Sequence, residues 1–134
     1  MTVFKDETIA IGSSDDIVAV RQAVRSWSIA AGLSLVEQTK MVTAASELAR
    51  NTLDYGGGGT VRLMSLEDGL RRGVRLIFED QGPGIPDIAL AMTDGYTSGV
   101  GLGMGLSGSK RLVNEFEIAS RIGEGTRVTV TRWK

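Results

Sequence analysis

Four short motifs stand in a fixed order along this chain, and that order constrains the fold more than any bulk property does. Glu47-Leu-Ala-Arg-Asn51 comes first. Asp80-Gln-Gly82-Pro-Gly84 follows, then the run Gly99-Val-Gly101-Leu-Gly103-Met-Gly105, then Gly125-Thr126 near the C-terminus. Each is weak alone. Together they supply a carboxylate and an amide one helical turn apart, an Asp held on glycine turns, and a glycine run that opens a helix. That set describes a nucleotide site. The expectation is an ATP-binding protein and, within that class, a small protein kinase.

Bulk properties agree with this without demanding it. A chain of 134 residues suits one domain, 1–134, with room for one core. A net charge of −1 gives no sign of a nucleic-acid footprint or a polybasic membrane patch. No apolar run approaches the roughly 20 residues that span a bilayer. Met1-Thr-Val-Phe-Lys-Asp-Glu7 lacks the basic and then apolar character of a signal peptide. A cytoplasmic protein is expected, with neither nucleic acid nor membrane as partner. The sequence contains no Cys and no His. Thiol chemistry is therefore out, and any general base is an Asp or Glu. Any metal is a hard ion held by oxygen.

Hydrophobic periodicity gives the order of elements. Val3 to Ile11 alternates and predicts a strand. Ser13-Ser-Asp-Asp16 starts a helix whose apolar face is Ile17, Val20, Val24 and Trp27, with Gly32 as its stop. Ser34-Leu-Val-Glu37 has capping-box spacing and opens a second helix through Asp54. Thr60 to Leu66 and Val74 to Glu79 predict a hairpin. Pro86 to Met92 predicts a short helix with Pro near its first position. Met104 to Glu115 predicts another helix, and Glu117 to Arg121 with Thr126 to Arg132 a final strand pair. Short connections imply a mostly antiparallel sheet with helices on one face, an α+β two-layer sandwich of the broader α/β class.

Glu47 and Asn51 fall on one helix face. A carboxylate beside an amide suits Mg²⁺, which keeps most of its waters and takes other ligands from phosphates. Alone, the pair reads more readily as a solvated surface pair, since such spacing is common on surface helices. Arg50 and Asp54 form a surface i,i+4 ion pair by spacing, with Arg50 also within reach of a phosphate. Asp80 ends an apolar strand and can face an exocyclic amine such as adenine N6, with Gly82 and Gly84 leaving room for a flat ring. The alternative for Asp80 is a turn residue that caps the next helix. Gly99, Gly101, Gly103 and Gly105 leave N–H groups uncovered at a helix start, which favours phosphate. Leu102, Met104 and Leu106 interleave with them, unlike a flexible surface loop. The match Gly103-x-Gly105-x-x-Gly108 lacks the βαβ setting of a dinucleotide fingerprint. Neither a P-loop nor the His-Arg-Asp and Asp-Phe-Gly pair is present.

The order Glu-x-x-x-Asn, Asp-x-Gly-x-Gly, Gly-x-Gly-x-Gly-Leu and Gly-Thr resembles the Bergerat ATP-binding fold of the GHKL superfamily, which includes gyrase, histidine kinases and MutL. Within it the chain is most similar to the anti-sigma-factor serine/threonine kinases. Ser46-Glu-Leu-Ala-Arg-Asn51, Glu79 to Asp87, Lys110 to Phe116 and the ending Arg132-Trp-Lys134 look specifically like the RsbT-type switch kinases of bacterial stress signalling complexes, the stressosomes. The resemblance implies that Asn51 coordinates Mg²⁺ on the ATP phosphates and that Glu47 is the general base. It implies that Asp80 binds adenine N6, with Gly84 lining the base pocket and Thr126 supporting it. Gly101, Gly103, Gly105 and nearby amides would hold the phosphates, and Asp94 to Val100 would form a lid. Related sporulation-type kinases carry a lid Arg, whereas residues 94–100 here contain neither Lys nor Arg. Arg50 and Lys110 are the candidates to meet the γ-phosphate charge instead.

The same resemblance implies two partners. One is a STAS-domain scaffold or antagonist protein phosphorylated on Ser or Thr. The other is a PP2C-type phosphatase that the freed kinase activates, so that an alternative sigma factor or similar output is controlled. Two other classes fit the motifs: a GHKL-type ATP hydrolase using Glu47 on water, and a nucleotide-gated binding module without catalysis.

Overall fold

The computed structural model describes residues 1–93 and 105–134. The elements run β1 (Thr2–Ile11), α1 (Ser14–Ala30), α2 (Leu35–Asp54), β2 (Gly59–Asp68), β3 (Arg71–Asp80), α3 (Ile88–Ala91), α4 (Leu106–Arg111), β4 (Glu115–Arg121) and β5 (Gly125–Trp133). Among the described residues the strands form one sheet, ordered β1-β2-β3-β5-β4, with every pairing antiparallel. No helix among the described residues is long and apolar enough to cross a membrane.

Local chemistry sets the helix starts. The Asp16 carboxylate accepts the N–H groups of Gly12 at 2.8 Å and Ser13 at 3.1 Å, holding the entry to α1. At α2, Ser34 Oγ accepts the Glu37 N–H at 3.2 Å and Glu37 Oε1 accepts the Ser34 N–H at 3.0 Å. Two otherwise orphaned donors are thereby satisfied reciprocally. These bonds, with the Arg132 guanidinium 3.7 Å away, hold the Glu37 carboxyl below its ordinary pKa. One residue thus caps α2 and ties it to β5.

The apolar stripes of α1 and α2 meet one sheet face. Val20, Val24, Met41, Ala45, Leu48 and Ala49 are buried against Val61, Leu63, Val74, Leu76, Phe78, Val128 and Val130. The opposite face carries a smaller cluster of Met64, Leu66 and Trp133, with Ile77 against it. Trp133 donates its indole N–H to Glu115, and the Arg71 guanidinium sits 4.3 Å from its ring. Arg132 donates to the Leu112 carbonyl at 3.2 Å. The C-terminal Arg-Trp pair therefore secures the sheet and the chain entering β4.

Several boundaries differ from the sequence expectation, three of them with a visible cause. The β2–β3 hairpin runs to Asp68 and Arg71, with Gly69 and Leu70 as its loop, because Asp68–Arg71 (3.1 Å) and Glu67–Arg72 (3.7 Å) pair charges across the strands. α3 starts after Pro86, since Asp87 Oδ1 accepts the Leu90 N–H at 2.9 Å and takes the cap itself. α4 stops at Arg111 rather than Glu115. Asn114 instead joins the sheet, donating its N–H to the Thr131 carbonyl at 2.9 Å and accepting the Trp133 N–H at 2.7 Å.

Leu76 lies on the central strand, fully buried, whereas Leu70 at the hairpin tip is fully exposed. Leu76→Ala is expected to cost about 2–5 kcal/mol of unfolding free energy through the cavity it leaves. Leu70→Ala should stay within about 0.5 kcal/mol of the parent. Urea titrations of both variants measure the contrast.

Candidate functional site: an apolar recess closed by Asp80

The recess lies between α2 and the ends of β3 and β5. Leu48, Phe78, Ile85 and Leu106 give it apolar walls, and Asn51, Asp80 and Thr126 give it polar ones. α2 contributes two of its faces. Leu48, Ala49 and Thr52 point into the core, which sets the helix rotation. Glu47 and Asn51 are then carried on the adjoining face.

Glu47 is exposed and stands beside Gly105. A Cβ on Gly105 would lie 2.7 Å from Glu47 Cβ and 2.9 Å from its Oε2, so the missing side chain lets the start of α4 approach the carboxylate. Asn51 is half-buried. Its Nδ2 is fully enclosed and has no hydrogen-bond partner among the described residues. An enclosed amide of this kind leaves its polar end for a group outside the described residues. Its O and N ends interchange by a flip, so either a donor or an acceptor can be presented there.

Asp80 is the last residue of β3 and pairs with Gly59 on one side and Thr126 on the other. Its Oδ1 accepts the Gly82 N–H at 2.9 Å. Burial pushes the carboxyl above its ordinary pKa, while the N–H groups of Gly82 and Thr126 pull it back down. Backbone crowds in from three sides. A Cβ on Gly56 would fall 2.4 Å from Asp80 Cγ, and one on Gly82 would fall 2.7 Å from Gly56 Cα. Gly125 has φ of +115°, and its Cβ would lie 2.0 Å from the Asp80 carbonyl oxygen. Only glycine tolerates both that dihedral and that approach.

The structure brings Glu47, Asn51, Asp80, Gly82, Gly105, Leu106 and Thr126 to one end of the sheet, with Gly84 near them through its carbonyl bond to Tyr55. Arg50 points elsewhere on α2, 3.8 Å from Asp54 Oδ1 and 3.5 Å from Ser14 Oγ. Its ion pair with Asp54 is the one the spacing implied. Lys110 is exposed in the last turn of α4. Gly99, Gly101, Leu102, Gly103, Met104 and the lid span 94–100 lie outside the described residues.

Three residues at this end had no place in the sequence reading. Tyr55 donates its hydroxyl to the Gly84 carbonyl at 2.6 Å, clamping the Gly-Pro-Gly turn to the end of α2. Gly56 makes room for Asp80. Ser120 joins three chain segments through one hydroxyl. The run Gly56-Gly-Gly-Gly59 was the available signal for the second, since clustered glycines mark close backbone approach. Nothing in the sequence marks Ser120.

The family of histidine kinase-, DNA gyrase B- and HSP90-like ATPases matches residues 36–134. The chain is 46% identical over 118 residues to the serine/threonine-protein kinase RsbT of Bacillus subtilis, covering 88% of this chain and 89% of that one. It is 30% identical over 119 residues to an anti-sigma F factor of Clostridium novyi, covering 84% and 82%. The fold matches the crystal structure of the RsbU and RsbW domains of a Mycobacterium tuberculosis protein, with a TM-score of 0.66 at 20% identity, covering 98% of this chain and 33% of that one. The chain therefore belongs to the histidine kinase-, DNA gyrase B- and HSP90-like ATPase family as a serine/threonine kinase of the RsbT type.

Proposed function

We propose that residues 1–134 act as one cytoplasmic kinase domain that transfers the ATP γ-phosphate to a Ser or Thr hydroxyl of a STAS-domain scaffold protein. Released from that scaffold, the kinase then activates a PP2C-type phosphatase in a stress pathway. The observation that carries the catalytic half is the pairing of Glu47 with Asn51 beside a recess whose closing group is Asp80. Glu47 takes the proton from the substrate hydroxyl as its oxygen bonds to the γ-phosphorus and ADP leaves. Asp80 accepts the adenine amine, and Gly105 brings the α4 end close to the reacting groups.

Asn51 would hold Mg²⁺ through its side-chain Oδ1, which an amide flip exchanges with the unpartnered Nδ2. Among the described residues no three acidic or histidine side chains gather to cage a metal. Mg²⁺ needs no such cage, because it takes phosphate oxygens and water for most of its six positions. Bound there, it would neutralise phosphate charge. The partner half rests on the similarity to RsbT and to anti-sigma factors.

Glu47→Gln should bind ATP normally and lose about 10²–10⁴-fold in phosphotransfer, since an amide takes no proton. Asn51→Ala should instead weaken binding of ATP with Mg²⁺. Calorimetry and transfer of labelled phosphate to a STAS protein separate the two effects, and an active Glu47→Gln protein removes Glu47 from the mechanism. Free phosphate without labelled protein would identify a hydrolase.

The raised pKa of Asp80 sets a second expectation. Because the folded pKa lies above the unfolded one, protonation is favoured by folding, and ionisation costs stability as pH rises through that window. The adenine amine binds the ionised form, so nucleotide should lower the Asp80 midpoint, and affinity should fall as pH drops through it. Carboxylate NMR with and without ATP measures this. A midpoint indifferent to nucleotide takes Asp80 out of the base pocket.

Catalysis and signalling should also separate. Glu47→Gln supplied free of scaffold is expected to stimulate the phosphatase as well as the parent does. Stimulation that vanishes while the variant stays folded and ATP-bound means that activation requires phosphotransfer.

A further inference from the structure

We propose that Arg132 is a positioning residue that sets how closely the start of α4 approaches Glu47, by fixing the far end of α4 to the start of α2. The inference rests on the reading of Glu47 as the base beside Gly105. Gly105 is the N-cap of α4, and its missing side chain lets it sit against Glu47. Leu112 is the C-cap of the same helix, and its carbonyl accepts Arg132 Nη1 at 3.2 Å. Arg132 Nε stands 3.7 Å from Oε2 of Glu37, in the first turn of α2. The guanidinium therefore lies between the last turn of α4 and the first turn of α2. Along α2, Glu37 and Glu47 are separated by a rise of about 15 Å, and α4 rises about 10 Å from Gly105 to Leu112. α4 thus runs back along α2, in direct contact at one end and linked through Arg132 at the other.

A helix of six residues is too short to hold its own place, so its neighbours decide where it lies. Leu106 is buried and turns one face of α4 inward, but apolar burial is not directional. Asn114, just beyond the helix, bonds Thr131 and Trp133, which ties the following chain to β5 rather than α4 to α2. Arg132 supplies the directional link, because its planar fork presents donors in a fixed geometry.

Glu37 is itself held, since its Oε1 accepts the Ser34 N–H at 3.0 Å. The Arg132 and Glu37 side chains are only 16% and 23% exposed. Arg132 Nε is enclosed and has no hydrogen-bond partner among the described residues, so the Glu37 carboxylate is what answers its charge. Loss of the guanidinium leaves the Leu112 carbonyl and the Glu37 carboxylate without this link and frees α4 to tilt on α2. Over two turns a tilt at Leu112 is carried to Gly105. A displacement of about 1 Å at reacting groups costs up to about 10²-fold in rate.

The test uses the full chain as Arg132→Ala, Arg132→Lys and Glu37→Gln, with thermal unfolding giving the folded fraction of each. The measurements are kcat for transfer of labelled phosphate to a STAS protein, per folded molecule, and the affinity for adenosine, which reads the Asp80 recess. Arg132→Ala should lower kcat roughly 10- to 100-fold and leave adenosine affinity at the parental value. Glu37→Gln keeps an oxygen to cap Ser34 but loses the charge facing Arg132, so it should lower kcat in the same direction by less. Arg132→Lys keeps the charge without the fork and should fall between Arg132→Ala and the parent. The double variant Arg132→Ala with Glu37→Gln should be no slower than Arg132→Ala alone, because both break one link. If Arg132→Ala does not fold, Arg132→Lys and Glu37→Gln carry the test. A lowered melting temperature with parental kcat in the folded Arg132 variants or in Glu37→Gln overturns the proposal. A loss of adenosine affinity as large as the loss in kcat also overturns it, since that marks a general loosening of the fold. Glu47→Gln is the control. If it loses transfer while the Arg132 and Glu37 variants do not, Glu47 stands as the base and Arg132 has no positioning role. If Glu47→Gln transfers as the parent does, the underlying site reading is what fails.

Discussion

The absence of side chains around Asp80 is the constraint on which the site depends. The end of α2, the end of β3 and the start of β5 reach the same few ångströms there, and only backbone fits between them. Gly56 admits the Asp80 carboxylate, Gly82 packs on Gly56, and Gly125 packs on the Asp80 carbonyl. A methyl at any of the three would push the segments apart. The same crowding partly shields Asp80 from water and raises its pKa, so the steric and electrostatic properties of the site have one origin. In a desolvated setting a hydrogen bond to the carboxylate is stronger.

α2 converts core packing into functional geometry. Met41, Ala45, Leu48 and Ala49 are buried against the sheet and fix the rotation of the helix. The capping bonds of Ser34 and Glu37, with Glu37 tied to Arg132, hold the helix start. With rotation and position both set, Glu47 and Asn51 fall beside the recess. A substitution on the buried side of α2 would therefore shift both without touching them.

The segments outside the recess serve the fold more than the chemistry. Arg132 and Trp133 bind the chain entering β4 and cover the second face of the sheet. Lys110 to Phe116 supplies the end of α4 and the start of β4, with Asn114 stitched to Thr131 and Trp133. The physical role of these stretches is to hold β5 against β4. That pairing in turn sets Thr126 opposite Ser120.

Much of this was legible in the chain alone. The helices were written in capping spacings and apolar periodicity, which are local. The hairpin was written in two apolar runs around a charged, glycine-bearing loop. Glu47, Asn51 and Asp80 were legible because helix periodicity and a strand end place them without reference to the rest of the molecule. Other features were decided by tertiary contact. α4 ends at Arg111 because Asn114 finds partners on β5, a competition no local pattern records. Tyr55, Gly56 and Ser120 acquire their roles from chain segments distant in sequence: Tyr55 and Gly84, Gly56 and Asp80, Ser120 and Ile85. Sequence determines which groups are available and how each element starts. The assembled sheet decides which of those groups meet, because the register of β3 against β5 alone brings Asp80 opposite Thr126.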